Sequence, residues 1–377
     1  MLLFYTAGES HGRGIFSFID GLPAGLRVDR DSINADLARR QKGYGRGGRM
    51  SIEQDTADVL SGLRGGHTMG SPVLLAVWNR DFENWQKYMD PWEIIPGREL
   101  HTPRPGHADL AGAARFRHKD LRNVLERSSA RETASRVAAG GFLRSFLSCL
   151  GIKACSWVTR IGETAYDGPF DLERRDASSV FCPDKNATLS MEHSIDRASQ
   201  EGDTIGGEFV VMVEGLPAGI GSYTQWDQRL DALLSMHLMS IPAIKAVQIG
   251  AGVACGILPG SMVHDPILAT YPKSRPSNNA GGLEGGVTNG EPIVVRCTMK
   301  PIPTLKKGMP TFDMLTGSSV RASYERSDVC AVPAASVVGE AVAIIAVSSA
   351  VLAGFTQPSM DALLHAFGNH RRYWEGL

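Results

Sequence analysis

Ile19-Asp20-Gly21-Leu22-Pro23-Ala24-Gly25 recurs as Val213-Glu214-Gly215-Leu216-Pro217-Ala218-Gly219, identical from the first glycine to the last. In both places a branched, strand-like run leads in and a helical pattern follows. Ile33 and Leu37 carry that pattern after the first copy. Leu230, Leu233, Leu234, His237, Leu238 and Ile241 carry it after the second, with Asp227 as the expected N-cap. Strand, turn and helix in each half predict a duplicated unit, although G-x-P-x-G is also ordinary turn chemistry that arises independently. No Ser/Pro-rich linker or block of charge separates the copies. The chain therefore reads as one large domain, residues 1–377, built from two related halves of about 1–195 and 196–377.

Outward from these turns, Leu2 to Thr6, Phe16 to Asp20, Pro72 to Trp78, Glu208 to Val213 and Pro292 to Met299 are short branched runs bounded by Gly or Pro, as strands are. The 39 Lys and Arg balance 40 Asp and Glu, so no overall positive field draws the protein to nucleic acid and any basic site is local. The 42 glycines predict many loops shaped by backbone. The six cysteines show no C-x-x-C pair and no zinc spacing, which fits a reducing compartment. The N-terminus lacks the basic region of a signal peptide. The apolar run from Ala341 to Phe355 is too short for a bilayer, which needs about 20 residues, and reads as a buried helix. A soluble, cytoplasmic protein with no membrane partner is expected.

Several polar segments could carry chemistry. Gly8-Glu9-Ser10-His11-Gly12 matches the G-x-S-x-G nucleophile elbow. Only one strand precedes Ser10, however, whereas an elbow needs a multi-strand sheet, so a Ser-His pair in a tight turn remains, with a plain turn as the rival reading. His101-Thr102-Pro103-Arg104-Pro105-Gly106-His107-Ala108-Asp109 is a loop stiffened by two prolines, in which His107 can act as acid, base or donor near neutral pH. A metal is the rival there, but His101, His107 and His118 lack a matching carboxylate or Cys pattern, so no metal is expected.

Arg127 to Ala134 opens a helix that ends near Gly151, with Ser129 and Glu132 as a capping box and Arg127 and Arg131 bracketing an anion-attracting terminus. Arg39-Arg40-Gln41-Lys42-Gly43-Tyr44-Gly45-Arg46-Gly47-Gly48-Arg49 packs five cations into a glycine-rich segment suited to a phosphate or polycarboxylate. An RGG-like RNA element is the rival, but such elements lie in basic, disordered tails, so no nucleic-acid partner is expected. Ser277 to Gly286 adds a Gly-rich loop and Lys300 to Thr304 a stiff strand exit. Asp328 is a candidate base if buried.

Taken together these motifs resemble the chorismate synthase family along nearly the whole chain. The resemblance rests on GESHG at 8–12, RRQ-x-GYGRGGR at 39–49, HTPRPGHADL at 101–110, LERSSARETA at 125–134, GDTIGG at 202–207 and MKPIPTL at 299–305, in family order. It implies an α+β fold, a β-α-β sandwich with internal duplication, assembled as a homotetramer. It implies a lyase of the shikimate pathway that eliminates phosphate from 5-enolpyruvylshikimate 3-phosphate to give chorismate, with reduced FMN and no net redox change. By the same resemblance Arg40, Arg46 and Arg49 hold the substrate, and Arg131 and Arg326 meet substrate or flavin phosphate. His11 assists the departing phosphate, His107 stabilises the reduced flavin on its N1 side, and Asp328 is a base toward N5, with Ser10 and Ser129 in the supporting polar network. FMN is expected against Ser129, Ala130, Arg131, Pro242, Ala243, Gly285, Lys300, Pro301, Ile302, Pro303, Thr304 and Arg326. The flavin would be reduced by an external reductant or by NADPH.

The chain departs from common family residues at Pro242, where an Asn is usual, and at Gln248, Met262 and Val329. An active enzyme with weaker FMN binding is the expectation. A phosphometabolite- or flavin-binding protein that has lost turnover is the alternative.

Overall fold

The computed structural model describes residues 2–47, 54–322 and 327–377. Two antiparallel sheets face each other across a layer of helices. The first runs in the order Leu3–Gly8, Gly14–Asp20, Val73–Trp78, Asp58–Ser61. The second runs Ile244–Ile249, Ile293–Met299, Gly207–Glu214, Lys153–Ile161, Thr164–Ala165. All five strand-like runs of the sequence are strands; they pair with one another in unbroken register, for example Leu3 with Asp20 and Ile293 with Val213, while the pairings with Asp58–Ser61, Lys153–Ile161 and Ile244–Ile249 each carry one register shift.

Between the sheets lie two long helices, Thr133–Cys149 and Val332–Gly354, packed on each other. Helix Arg30–Gln41 flanks the first and Leu230–Met239 the second. The architecture is the expected α+β sandwich of strands, helices and strands. The long helices approach closely because Gly140 has no side chain: a Cβ there would stand 2.5 Å from that of Ala341. The apolar run near the C-terminus is indeed a buried helix, but it begins earlier than Ala341, at Val332, with Pro333 in its first turn. Among the described residues this is the one helix long and apolar enough to cross a membrane, and it forms the centre of the sandwich.

The carboxylate of Glu340 interrupts that helix inside the core. It is 1% exposed. Its Oε1 accepts from Arg39 and Arg144, each at 2.6 Å, and its Oε2 accepts from Ser156 at 2.8 Å, with Arg175 3.9 Å away. Burial alone would raise its pKa, but Arg39 and Arg144 pull it down to about 2.

The two GLPAG turns are held alike. Thr68 Oγ1 donates to the Pro23 carbonyl at 2.6 Å and accepts from Leu26 N at 2.9 Å, while Thr288 Oγ1 donates to Pro217 at 2.6 Å and accepts from Ile220 N at 2.9 Å. Both threonines close hairpins whose sequences also correspond, Gly62-Leu63-Arg64-Gly65-Gly66-His67-Thr68 and Gly282-Leu283-Glu284-Gly285-Gly286-Val287-Thr288. One C-terminal segment touches both turns. Ala24 exchanges backbone bonds with Pro358 and Met360, and from helix Met360–Glu375 His370 and Arg371 reach the carbonyls of Ala218 and Gly215.

Two helix starts differ from the sequence reading. Asp227 lies in a separate short turn, Trp226–Gln228, and the N-cap of Leu230–Met239 is Arg229. The first helical N–H, that of Leu230, is satisfied instead by the Gly286 carbonyl of the neighbouring hairpin at 2.8 Å. Ser129 and Glu132 do not form a capping box. Ser129 caps a 3-10 turn, Ala130–Glu132, by accepting from Arg131 N, and its own N–H bonds to Leu125 O. The Glu132 carboxylate points away to Thr6 and Arg136.

Candidate active site

A cavity of about 670 Å³ opens between the two sheets, within the size range of small-molecule sites. Four segments of the first half and three of the second build it. The turn after strand Leu3–Gly8 contributes Ser10 and His11, the end of helix Arg30–Gln41 and its following loop contribute Arg40, Arg46 and Gly47, the proline-stiffened loop contributes Arg104 and His107, and the region around the 3-10 turn contributes Arg127 to Thr133 and Arg136. From the second half come Ser240 to Ala243, Met299 to Thr304 without Pro301, and Ser327 to Val338 in part. Seven Lys and Arg line it against the two carboxylates of Glu132 and Asp328, so the neutral chain does concentrate cations locally. Ile241, Pro242, Met299, Ala334, Ala335 and Val338 add an apolar wall.

The arginines are aimed by buried partners. Arg40 donates from Nε to Thr133 at 3.0 Å and from NH2 to the Ala130 carbonyl at 2.9 Å. Arg131 donates to Asn79 Oδ1 at 2.7 Å and to the Trp78 carbonyl at 3.3 Å. Between them sits Asp55, its side chain fully buried, accepting from Arg131 at 2.6 Å and lying 3.4 Å from Arg40. Burial lowers the Arg40 pKa to about 10 despite the pull of Asp55. Arg46 reaches across to Asp328, 2.6 Å from NH1 to Oδ2, and Gly47 N donates to Oδ1 at 2.7 Å. Arg39 departs from the expected anion cradle: it turns into the core toward Glu340, because its place on the helix faces Asp36 and that carboxylate. Lys42 is exposed outside the cavity. Arg49 and Arg326 lie outside the described residues.

Each histidine is tied to a carboxylate. His11 is buried, with Nδ1 2.8 Å from Glu126 Oε1 and its backbone N donating to Glu126 Oε2 at 2.8 Å, and its ring packs 4.0 Å from that of Trp85. Ser10 donates from Oγ to Ser129 Oγ at 3.0 Å. His107 Nδ1 is 2.5 Å from Asp109 Oδ1, and Arg104 grips the same carboxylate at 2.8 and 3.0 Å. Burial would raise the Asp109 pKa, yet His107 and Arg104 hold it well below the usual carboxylate range. Among the described residues no three His, Cys, Asp or Glu gather as a metal would need.

In the second half, Ala243 adopts φ +70, a conformation in which a side chain is strained, directly after Pro242. Lys300 donates from N to the Ala243 carbonyl and from Nζ to Gly106 O at 2.6 Å, tying the halves together over the cavity. Arg136 makes a second tie, from Glu132 to Ser240 Oγ at 2.7 Å. Ser10, His11, Arg40, Arg46, His107, Ser129, Ala130, Arg131, Pro242, Ala243, Lys300, Ile302, Pro303, Thr304 and Asp328 thus meet at one cavity. Gly285, at the tip of its hairpin, and Pro301 are not in the lining.

Sequence reading gave no role to Glu126, Asp109 or Arg104, although all three lie inside quoted motifs. Asp55 and Asn79 carry no motif signal. Asn79 immediately follows a predicted strand, and its amide serves both Arg131 and the carbonyls of Glu9, Ser10 and Gly12.

With that geometry in place, a family model described as chorismate synthase matches residues 2–352. A chorismate synthase of Desulforudis audaxviator is 52% identical, covering 100% of this chain and 98% of its own length. That of Moorella thermoacetica is 49% identical, with full coverage of both chains. A solved crystal structure of a chorismate synthase superposes with a TM-score of 0.81 at 37% identity, covering 100% of this chain and 99% of its own.

Proposed function

The chain belongs to the chorismate synthase family, and from that premise we propose that it converts 5-enolpyruvylshikimate 3-phosphate to chorismate and phosphate by anti-1,4 elimination, with reduced FMN and no net redox change. The observation that carries this reading is the convergence of seven cations and two carboxylate-tethered histidines on one cavity with an apolar wall. The substrate bears two carboxylates and a phosphate, a charge of about −3.5 to −4 given a phosphate second pKa near 6. Such a ligand demands clustered cations, and an isoalloxazine ring demands an apolar surface. The lining offers both, so the residues present fit the flavin and the substrate together.

In this reading Arg40 and Arg46, with Arg49, bind the substrate anions, and Arg131, with Arg326, meets substrate or flavin phosphate. His11 serves the departing phosphate by hydrogen bonding or protonation, which spreads the charge developing on the leaving oxygen. Asp328 acts as the base, held by Arg46 and Gly47 N. His107 stands beside the flavin site with its orientation set by Asp109. Ser10 and Ser129, bonded to each other, belong to the supporting polar network of the cavity. Ala130, Pro242, Ala243, Lys300, Ile302, Pro303 and Thr304 frame the flavin. Bound reduced FMN supplies the electron chemistry, while the protein orients the substrate and excludes water.

We extend the family's homotetramer to this chain, supported by the exposed Val253, Ile257, Met262, Ile267 and Tyr271 of the second half, and expect it to work in the cytoplasm. Light scattering on the purified protein tests the assembly.

The deciding experiment is an anaerobic assay with the enolpyruvyl substrate and chemically reduced FMN, repeated with NADPH as reductant. Stoichiometric chorismate and phosphate support the enzyme. Retained binding of FMN and substrate without turnover would replace it with the binding-protein alternative. His11→Ala and Asp328→Ala should lower kcat more than they raise KM; an unchanged kcat in either removes that residue's role.

A further inference from the structure

Glu126 is placed as no motif of the sequence announced. It sits in helix Arg122–Ser128 with its side chain 5% exposed, and it holds the Ser10-His11 turn at three points. Its backbone carbonyl accepts from Ser10 N at 2.8 Å, its Oε2 accepts from His11 N at 2.8 Å, and its Oε1 stands 2.8 Å from His11 Nδ1. Arg122, one turn earlier, lies 3.7 Å from Oε1 and keeps the carboxylate compensated. The face of the imidazole is fixed as well. Trp85 packs against it at 4.0 Å, and the guanidinium groups of Arg98 and Arg122 lie 4.8 and 4.9 Å from the Trp85 ring. One edge and one face of His11 are therefore set by neighbours before any ligand arrives.

We propose that Glu126 is the positioning residue for His11: its carboxylate fixes the imidazole as the tautomer that carries the proton on Nδ1. This rests on the reading that His11 serves the departing phosphate. The argument is one of donor and acceptor matching. The two oxygens of an ionised carboxylate only accept, and they face two groups of His11, a backbone N–H that can only donate and the ring Nδ1. A bond from Nδ1 to a pure acceptor requires the proton on Nδ1, so the lone pair of the neutral ring falls on Nε2. Donation starts from the imidazolium form, with protons on both nitrogens: as the carbon–oxygen bond breaks its electron pair goes to the oxygen, the Nε2 proton passes to the phosphate, and the neutral Nδ1–H tautomer remains behind. The carboxylate thus favours the form of the ring that donation leaves. The same logic links a buried carboxylate to a histidine in serine-protease triads, where an amide replacement that forces the wrong tautomer costs about 10⁴ in kcat.

The test is Glu126→Gln, which conserves volume but presents one acceptor and one NH2 where two acceptors stood. Either the backbone N–H or Nδ1–H of His11 loses its partner, and the ring can recover a bond only by moving its proton to Nε2. Nitrogen NMR of histidine-labelled protein, with the His11 signal assigned by its loss in His11→Ala, should show protonated Nδ1 in the parent and protonated Nε2 in Glu126→Gln. Turnover should fall by about 10²- to 10⁴-fold, with KM changed less than about threefold because the substrate-binding arginines are untouched. Glu126→Asp keeps two acceptors and should retain both the Nδ1–H tautomer and part of the turnover; it also serves if the glutamine variant does not fold. An Nδ1–H tautomer retained in Glu126→Gln, or parent-like kcat in a folded Glu126→Gln while His11→Ala is impaired, would overturn the proposal. Parent-like turnover by His11→Ala would instead remove the role of His11 on which the catalytic half rests, leaving the NMR result to decide the positional half.

Discussion

Replacing Glu340 by Gln tests the energetics of the buried ion cluster between the sheets. The carboxylate satisfies Arg39 and Arg144 at 2.6 Å each and Ser156 at 2.8 Å, and it lies 3.9 Å from Arg175, at 1% exposure. An amide of the same shape removes the most buried of the anions these arginines hold, leaving Arg39 and Arg144 to share Asp36 alone. Its magnitude follows from linkage. The pKa drops from 4.5 in the unfolded chain to about 2 in the fold, and at 1.36 kcal/mol per unit this contributes about 3 kcal/mol. Breaking a buried ion pair by removing one partner independently costs about 3–5 kcal/mol, so the two estimates agree. Because the folded pKa is depressed, the stabilisation is fully present above the unfolded value and is lost as pH falls through the folded one. The window is therefore about pH 5 down to about pH 2, and at pH 3 less than half remains. Urea unfolding followed by circular dichroism should show Glu340→Gln less stable by about 3 kcal/mol at pH 7, with the gap from the parent narrowing by more than half at pH 3. A gap below about 1 kcal/mol at pH 7, or one that does not change between the two pH values, would refute the reasoning.

The matching threonines predict matching costs. Thr68→Val and Thr288→Val each strand a buried carbonyl and N–H, for about 1–3 kcal/mol of stability by urea titration, and a difference above about 1 kcal/mol between them would show that the two turns are not held alike. Ala243→Gly relieves a left-handed residue worth about 1–2 kcal/mol against a glycine entropy cost of about 0.5–1 kcal/mol. The melting temperature should hold or rise; a clear fall would mean that the methyl packing outweighs the strain. Asp55→Asn removes the anion between Arg40 and Arg131, so the melting temperature should fall, and millimolar inorganic phosphate should restore more of it than it adds to the parent protein. An equal increment in both would refute a counter-charge role.

The parts of the fold legible in the sequence were those written locally. Strands bounded by Gly and Pro declared themselves, as did the helical spacing of Leu230, Leu234 and Leu238, because period and punctuation are properties of a short window. Gly140 against Ala341 is a contact between residues two hundred positions apart and leaves no local mark. The N-terminus of the Leu230–Met239 helix escaped for the same reason, since a carbonyl from a distant hairpin does the work expected of Asp227. The site divides the same way. Ser10, His11, Arg40, Arg46, Arg131 and His107 lie in dense polar motifs and do face one cavity. Asp55, Asn79 and Glu126 act on those residues from behind, and a single buried carboxylate or amide becomes conspicuous only when its partners from other segments are seen around it. Arg39 shows the converse: its motif promised a ligand, but one residue's rotation along the helix from Arg40 turned it to the core.

The meeting of helices Thr133–Cys149 and Val332–Gly354 at Gly140 also bears on how ligands enter. With almost no side chain between the two backbones there, and a sheet packed on each outer side, the halves have no lubricating layer on which to slide or swing. A clamshell opening would have to tear the central interface and the Glu340 cluster with it. Entry and exit are thus left to the rim, where Arg104, His107, Lys300, Ile302, Pro303 and Thr304 line the cavity from loops outside the central layer, rather than to relative motion of the two sheets.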